Sequence, residues 1–327
     1  MVALLYTDSL ATGLEQWIAG VRNGDPRALA RAISMVENRE HGSMDLLKAL
    51  FRHSGRARIL GLTGAPGAGK STLVDQLARH YRAQKHTVGI IAVDPTSPYS
   101  GGAILGDRIR MQDHFSDAGI YIRSMATRGS LGGLAATTAD VATVLDASGR
   151  DLIMIETVGV GQDEVEIVRL AEITVVILVP GMGDDVQTIK AGIMEIADIF
   201  VINKSDREGA ERVEREIRAM QSLATRSDNW TPPIVKTVAS EGKGIADLAA
   251  AIAGYETFLK KGNLLLNRNV QNWRDRLLEM LRDAMLDRAR AELSDGEADR
   301  LAAEVAEHKR DPYTVVEEIV ARVSGRA

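Results

Sequence analysis

Short apolar runs alternate with amphipathic stretches through the middle of this 327-residue chain. The runs are ILGLTG (59–64), VGIIAVD (88–94), IYIRSM (120–125), LIMIET (152–157), ITVVILVP (173–180), IFVINK (199–204) and IVKTV (234–238). Most are apolar throughout rather than at every second position, which is typical of strands that are buried on both faces. Such strands, when they alternate with helices, predict an α/β domain with a mostly parallel, doubly wound sheet. We place this domain at residues 58–258.

Helical periodicity dominates the sequence on both sides of that domain. In the N-terminal extension, residues 1–57, Asp25 is a predicted N-cap and Pro26 the first residue of a helix. Residues 259–327 are predicted to form a C-terminal helical arm. Val270, Trp273, Leu277, Leu281 and Ala284 lie on one helical stripe. A stripe of this kind needs a partner surface, so we expect the arm either to fold back on its own domain or to form a homodimer.

Composition disfavours several classes of protein. The chain has no cysteine, which rules out disulfides, thiolate metal sites and cysteine nucleophiles. A net charge of −5 with interspersed signs, together with only 4% aromatic residues, argues against a surface that binds nucleic acid. No run approaches the ~18 apolar residues of a membrane span, and no secretory leader is visible. We therefore expect a cytoplasmic protein without a membrane partner.

A phosphate-binding loop directly follows the first predicted strand. It consists of Gly64, Ala65, Pro66, Gly67, Ala68, Gly69, Lys70, Ser71 and Thr72, which contain the pattern G-x-x-x-x-G-K-[ST]. Strand, loop and helix come in the order that the chemistry needs, because backbone N–H groups surround the phosphates and the helix dipole adds positive charge. This predicts a P-loop NTPase in which Lys70 reaches the β- and γ-phosphates as a catalytic residue and Ser71 binds Mg²⁺.

A second motif, at the end of the predicted strand 199–204, indicates which base is bound. Asn203, Lys204 and Asp206 match the N-K-x-D pattern of guanine-specific proteins. Asp206 can accept hydrogen bonds from the N1–H and the exocyclic amine of guanine, Lys204 can cover the base, and Asn203 can link this loop to the phosphate loop. The motif lies at the carboxyl end of a strand, where ligands of parallel sheets bind. Together, the phosphate loop and the N-K-x-D motif favour GTP and GDP over adenine nucleotides. A backbone contact to the guanine oxygen is expected from Val238, Ala239 or Ser240.

Three carboxylates are candidates for Mg²⁺ binding and catalysis. Glu156 ends a predicted strand in the order E-T-V-G, where many GTPases carry D-x-x-G, and Gly159 would let the backbone approach the γ-phosphate. Asp94 and Asp107 are expected on the same face, where one would complete the Mg²⁺ shell and one would orient the attacking water. Helix capping or loop solvation is the alternative role for both. Because Gln162 does not directly follow Gly159, we expect slow intrinsic hydrolysis that a partner accelerates.

Several long stretches of the chain resemble one family. GAPGAGKSTL, VDPTSPYSGGAILGDRIRM, ETVGVGQDEVEI and PGMGDDVQTIKAGIMEIADIFVINKSD, with the helical lead-in GDPRALARAISMVE, closely resemble the MeaB-type GTPases of the ArgK/LAO transport kinase-like family. The resemblance implies a G domain within a homodimeric chaperone. Such a protein uses GTP binding and hydrolysis to gate adenosylcobalamin loading and to protect or reactivate methylmalonyl-CoA mutase. A cobalamin adenosyltransferase is a further implied partner.

The resemblance also implies site residues by position. The implied nucleotide site comprises Gly64 to Thr72, Asn203, Lys204, Asp206 and Val238 to Ser240, and the implied Mg²⁺ cluster comprises Ser71, Asp94, Asp107 and Glu156. A mobile switch is implied at residues 181–190, with polar contacts that can exchange partners. Its residues of interest are Gly181, Asp184, Asp185, Gln187 and Lys190. Without the family, a plain strand-to-helix connection capped by Asp184 is an equal alternative.

Other functions stay open at this point. A small-molecule kinase would use the same phosphate loop but pass the γ-phosphate to an acceptor, and a structural partner of the mutase would bind nucleotide without needing turnover. A GTPase that serves another cobalamin-dependent acyl-CoA mutase is also compatible. Metal delivery is disfavoured, because the six histidines form no close pair. Four arginines near the expected switch regions are either structural or contacts of the γ-phosphate: Arg108, Arg110, Arg123 and Arg128.

Overall fold

The structure is a computed structural model that describes residues 14–94, 117–126, 133–157, 170–181, 196–223, 226, 228–294 and 296–325. The chain divides into two compact units, residues 1–268 and 269–327. Within the described ranges, no helix combines the length and the apolar character that a membrane crossing requires.

The first unit is built on a seven-stranded sheet. Its strands are β1 (Arg58–Gly64), β2 (Val88–Asp94), β3 (Ile120–Ala126), β4 (Leu152–Glu156), β5 (Ile173–Leu178), β6 (Ile199–Asn203) and β7 (Ile234–Thr237). They lie in the order β3-β2-β4-β1-β5-β6-β7, and every neighbouring pair is parallel. The predicted α/β class with a doubly wound parallel sheet is confirmed, and each predicted apolar run contains one strand.

Helices cover both faces of this sheet. Helices in the described part of the first unit include α1 (Pro26–Glu37), α2 (Ser43–Phe51), α3 (Lys70–Ala83), α4 (Gly133–Ala147), α5 (Ala210–Leu223) and α6 (Ile245–Lys260). Strand β4 shows why the runs are apolar throughout: Met154 packs in the layer that contains α3 and α6, whereas Ile153 and Ile155 pack in the layer that contains α1, α2 and α4. A strand between two helical layers has no polar face.

The N-terminal helices belong to the core of this unit. Leu29 and Ile33 of α1 are fully buried in one cluster with Leu145 of α4. Helix α1 begins as predicted, because the Asp25 carboxylate accepts a hydrogen bond from the Ala28 amide at 2.7 Å and Pro26 is its first residue. The peptide before β1 is fixed by the Asp146 carboxylate, which accepts three backbone N–H bonds from residues 55–57 at 2.5–3.1 Å.

Three helices follow the sheet domain: α7 (Leu264–Ala291), α8 (Glu297–Ala306) and α9 (Pro312–Val323). Helix α9 begins like α1, with an aspartate, Asp311, that accepts from the amide of Thr314 at 2.8 Å and with proline as its first residue. Within the second unit, Arg322 of α9 donates to Glu297 of α8 at 3.0 Å. The helical periodicity read from the sequence therefore corresponds to real helices in this part of the chain.

Candidate nucleotide-binding site

The predicted motifs meet at one edge of the sheet, where the parallel strands have their carboxyl ends. The phosphate loop follows β1, Glu156 is the last residue of β4, and Asn203 is the last residue of β6. Register places Leu62 of β1 opposite Glu156, and Asn203 opposite Thr237 at the end of β7. The fold thus brings together residues that are up to 175 positions apart, from Gly64 to Ala239.

Two glycines of the phosphate loop are required by close backbone packing. A Cβ on Gly64, whose φ is +150°, would lie 2.2 Å from the carbonyl oxygen of Ile177 in β5. A Cβ on Gly69, whose φ is +88°, would lie 2.5 Å from the side-chain nitrogen of Asn203. A side chain at Gly64 would push the phosphate loop away from β5, and one at Gly69 would push it away from Asn203. Residues 203–206 and 238–240, which the sequence predicts to contact the base, are called the base-reading loops below.

Lys70 is the buried cation of the loop. It is the first residue of α3, its side chain is 6% exposed, and its ammonium group donates to the carbonyl oxygens of Gly64 at 2.7 Å and Ala65 at 3.1 Å. The remaining loop residues are Pro66, Gly67, Ala68 and Thr72, of which Ala68 is fully buried. A buried ammonium beside glycine backbone and the N-terminus of a 14-residue helix forms a concentrated site for anions.

Two side chains with oxygen atoms contact each other at the residue that follows Lys70. The Ser71 hydroxyl donates to Glu156 Oε1 at 2.6 Å, and the two residues are 9% and 3% exposed. Asp94 ends β2 two residues beyond Ala92, the residue that pairs with Glu156, so its backbone reaches the same edge. Asp107 lies outside the described residues, as do Asp184, Asp185, Gln187 and Lys190 of the predicted switch. Gly181 is described and has a φ of +92°.

Asn203 links the phosphate loop to the base-reading loops. Its side-chain N–H donates to the carbonyl oxygen of Ala68 at 2.8 Å. Its side-chain oxygen accepts from the hydroxyl of Thr237 at 3.1 Å and from the amide of Ala239 at 3.1 Å. Thr237 is 1% exposed and was not predicted from the sequence. A polar residue at the end of a buried strand was the available signal, and it gains meaning only beside Asn203.

The neighbouring groups of the base-reading loops are more open. Lys204 adopts a φ of +53° and donates from its ammonium group to the carbonyl oxygen of Gly67 at 2.8 Å. Asp206 and Ser240 are exposed to solvent, where a base could reach them. The carboxylates of Glu241 and, more weakly, Asp206 raise the pKa of Lys243. Asp206 therefore lies close enough to Lys243 for the two charges to interact.

Arg123 has a structural role. Its guanidinium forms an ion pair with Glu37 of α1, with Nε 2.9 Å from Oε1, and a second N–H donates to Ser34 at 3.3 Å. It therefore connects β3 to the N-terminal helices. Three other arginines considered from the sequence lie outside the described residues: Arg108, Arg110 and Arg128.

Comparison with known proteins identifies the family and relatives that the chain is similar to. The sequence model of one family, described as methylmalonyl-CoA mutase-associated GTPase MeaB, matches residues 29–294. A putative GTPase of Pyrococcus abyssi is 45% identical over 95% of this chain and 97% of its own length. The mitochondrial methylmalonic aciduria type A homolog of Mus musculus is 35% identical over 82% of this chain and 67% of its own length. A crystal structure described as an LAO/AO transport system kinase superposes with a TM-score of 0.71 at 27% identity, and covers 96% of this chain and 98% of that one.

Proposed function

The chain belongs to the MeaB family of methylmalonyl-CoA mutase-associated GTPases, and from this premise we propose that its GTP hydrolysis controls the loading of adenosylcobalamin into such a mutase. Hydrolysis of GTP is the activity of the family. The observation that carries the nucleotide assignment is the Asn203 amide, which holds the phosphate loop and the base-reading loop together through three hydrogen bonds. A ligand that has both a triphosphate and a guanine fits that arrangement.

Each end of the nucleotide has its own chemistry in this proposal. Lys70 and the backbone N–H groups of the loop neutralise the phosphates, and the dipole of α3 adds to that charge. Asp206 accepts from the two guanine donors, Lys204 covers the base, and the amide of Ala239 or Ser240 donates to the guanine oxygen. The amide of Ala239 already donates to Asn203, so Ser240 is the freer donor of the two.

The residues present fit Mg²⁺. A serine hydroxyl and a carboxylate oxygen 2.6 Å apart are hard oxygen donors, and they are buried beside the loop that would hold the phosphates. Ser71 and Glu156 would hold the ion, with Asp94 and Asp107 as further candidates, and Mg²⁺ commonly completes its shell with phosphate oxygens and water. When bound, the ion would offset the charge that develops on the γ-phosphate. Gln162 does not directly follow Gly159 in the sequence, where many GTPases carry the glutamine that orients water. This supports slow GTP hydrolysis that becomes faster when a partner orders the site.

The association with a mutase is supported by the family description and by the mouse relative.

A homodimer is supported by α7. Six of its apolar residues follow the 4-3 spacing of a coiled-coil seam: Leu266, Val270, Trp273, Leu277, Met280 and Ala284. Val270 and Leu277 are 59% and 58% exposed. Sedimentation velocity should find a dimer that Leu277→Glu converts to monomer; an unchanged sedimentation coefficient would contradict this.

The test of the proposed function measures binding and cofactor loading together. Candidate cobalamin mutases are incubated with this protein in GTP, GDP or no nucleotide, and both co-purification and adenosylcobalamin uptake are followed. We expect binding to differ between the three states, and Lys70→Ala to abolish GTP-dependent loading. Lys48→Ala is the matched control, because Lys48 lies on the surface of α2 with a side chain that is 74% exposed. Loading that is the same with and without nucleotide would refute the gating role.

A small-molecule kinase is the second candidate, because the superposed crystal structure is described as a transport system kinase. A kinase would pass the γ-phosphate to an acceptor rather than to water. Release of inorganic phosphate in equal amount to GDP supports the hydrolase. Phosphate that is retained on a small molecule or a protein would support the kinase.

A further inference from the structure

Two buried threonines contact each other beside the site, and neither belongs to its predicted residues. Thr63 and Thr157 are 0% and 2% exposed. The hydroxyl of Thr157 donates to the hydroxyl oxygen of Thr63 at 3.0 Å, and its amide donates to the carbonyl oxygen of Leu62 at 3.1 Å. In a core of aliphatic side chains, hydroxyl groups are kept buried at a cost unless they are hydrogen-bonded to each other.

The positions of the two threonines place their contact between the two halves of the phosphate and metal site. Thr63 directly precedes Gly64, the first residue of the phosphate loop. Thr157 directly follows Glu156, whose carboxylate accepts from Ser71 at 2.6 Å. The Glu156–Thr157 dipeptide is therefore attached at three points, by the Glu156 carboxylate to α3 and by the Thr157 amide and hydroxyl to β1.

One side of this contact is closely packed. The backbone of β1 packs so closely on β5 at Gly64 that a Cβ there would lie 2.2 Å from the Ile177 oxygen. The last register pair between β1 and β4 is Leu62 with Glu156, so the strands stop pairing one residue before the threonines. Beyond that pair, the Thr157 amide and the hydroxyl pair together continue the connection between the strands, at the residue after the carboxylate.

We propose that Thr63 and Thr157 are positioning residues for GTP hydrolysis, because their hydroxyl pair holds the Glu156 carboxylate on Ser71. This inference rests on the proposed Mg²⁺ role of Ser71 and Glu156. Neither threonine binds the ion in this account. Groups that orient metal ligands typically contribute ~10–100-fold to metal affinity or activity, and we expect an effect of this size here.

The experiment compares Thr63→Val, Thr157→Val and the double variant with the wild type. Urea unfolding reports stability, and GTP hydrolysis as a function of Mg²⁺ concentration gives kcat and the half-saturating Mg²⁺ concentration. Each single variant leaves one hydroxyl buried without its partner, so both should unfold at lower urea, whereas the double variant should regain most of that loss. The Mg²⁺ requirement behaves differently: all three should need ~10–100-fold more Mg²⁺ or lose a similar factor in kcat. Thr157→Ser, which keeps the hydroxyl, should retain stability, Mg²⁺ requirement and kcat close to those of the wild type.

Thr174→Val is the matched control. Thr174 is fully buried in β5, and its hydroxyl has no hydrogen-bond partner within the described part of the chain. This variant should keep the wild-type Mg²⁺ requirement.

The outcomes separate the two proposals. A double variant with wild-type kcat and a wild-type Mg²⁺ requirement would overturn the positioning role, whatever its stability. Wild-type hydrolysis that is insensitive to Mg²⁺ would refute the metal proposal instead. In that event, a lowered kcat of the double variant would show that the threonines position Glu156 for hydrolysis without a metal ion. An unchanged kcat would overturn the positioning role too.

Discussion

Replacement of Asn203 by alanine tests whether one amide holds the nucleotide site together. The side chain is 2% exposed and makes three hydrogen bonds, to Ala68, Thr237 and Ala239. At about 1 kcal/mol net per bond, their loss costs about 3 kcal/mol. The amide of Ala239 and the carbonyl of Ala68 then stay buried without this partner, which raises the expected cost to about 5 kcal/mol. Domains of this kind are stable by about 5–15 kcal/mol, so Asn203→Ala should fold with a clearly lowered urea midpoint.

Asn203→Asp separates hydrogen bonding from packing. It keeps the size of the side chain and both accepted bonds, but it places a carboxylate oxygen where nitrogen now donates to the Ala68 carbonyl at 2.8 Å. Two acceptors at that distance repel, so this variant should lose GDP affinity by about 10–100-fold, close to the loss in Asn203→Ala. Titration with a fluorescent GDP analogue measures the affinity, and urea unfolding followed by far-UV circular dichroism measures the stability.

The pH dependence of Asn203→Asp gives an independent check of the same geometry. Burial and the facing carbonyl should raise the pKa of the introduced carboxyl above its value in the unfolded chain. The defect is then present above that raised pKa and is relieved as the pH falls through it, because the protonated carboxyl can donate to Ala68. An Asn203→Asp protein with wild-type stability and GDP affinity at neutral pH would refute the reasoning.

Three further predictions concern single carboxylates. Asp206→Asn should shift nucleotide preference from guanosine toward xanthosine, and competition binding that still favours GDP would show that another residue reads the base. Burial tends to raise the pKa of Asp228, but hydrogen bonds from Arg226 and a backbone amide lower its pKa overall, so its stabilisation is present at neutral pH and is lost as the pH falls through the depressed value. Asp228→Asn should therefore lower the urea midpoint at neutral pH and have little effect in acid. Asp198 is fully buried and contacts Arg226 at 3.2 Å and Arg268 at 2.9 Å, so Asp198→Ala should cost about 3–5 kcal/mol in urea unfolding, whereas an exposed pair would cost below about 1 kcal/mol.

The strands could be predicted from the sequence because burial leaves a simple pattern. All residues of β4, β5 and β6 are buried, so each run is apolar except for one polar residue, and its bounds are visible within one or two residues. The order of the strands leaves no such pattern. That β1 lies between β4 and β5 depends on how the helices pack, and no short stretch of sequence reports it.

The site residues divide in the same way. Lys70, Ser71 and Asn203 belong to contiguous motifs whose spacing follows from the shape of a nucleotide, and the sequence alone was enough to propose them. Thr237 and the pair Thr63 and Thr157 were missed, because their hydrogen-bond partners are 34 and 94 residues away in the chain. A threonine in a strand or directly after one is ordinary by composition. Only the fold shows that these three hydroxyl groups face polar partners inside the core.

In the proposed nucleotide site, the arrangement around Asn203 makes recognition of the base and of the phosphates interdependent. The same side chain donates to the loop that would hold phosphate and accepts from the loop that would meet guanine, and Gly69 leaves no room between them. A ligand that has both phosphate and guanine gains binding energy from both loops when it orders them. A ligand that has only one of these groups must still order both loops, but it gains binding energy from one loop. Substitutions in the two loops should therefore be non-additive in nucleotide binding, as expected for residues in one hydrogen-bonded network. A protein that must distinguish GTP from inorganic phosphate and from free guanine needs this dependence, and neither motif supplies it alone.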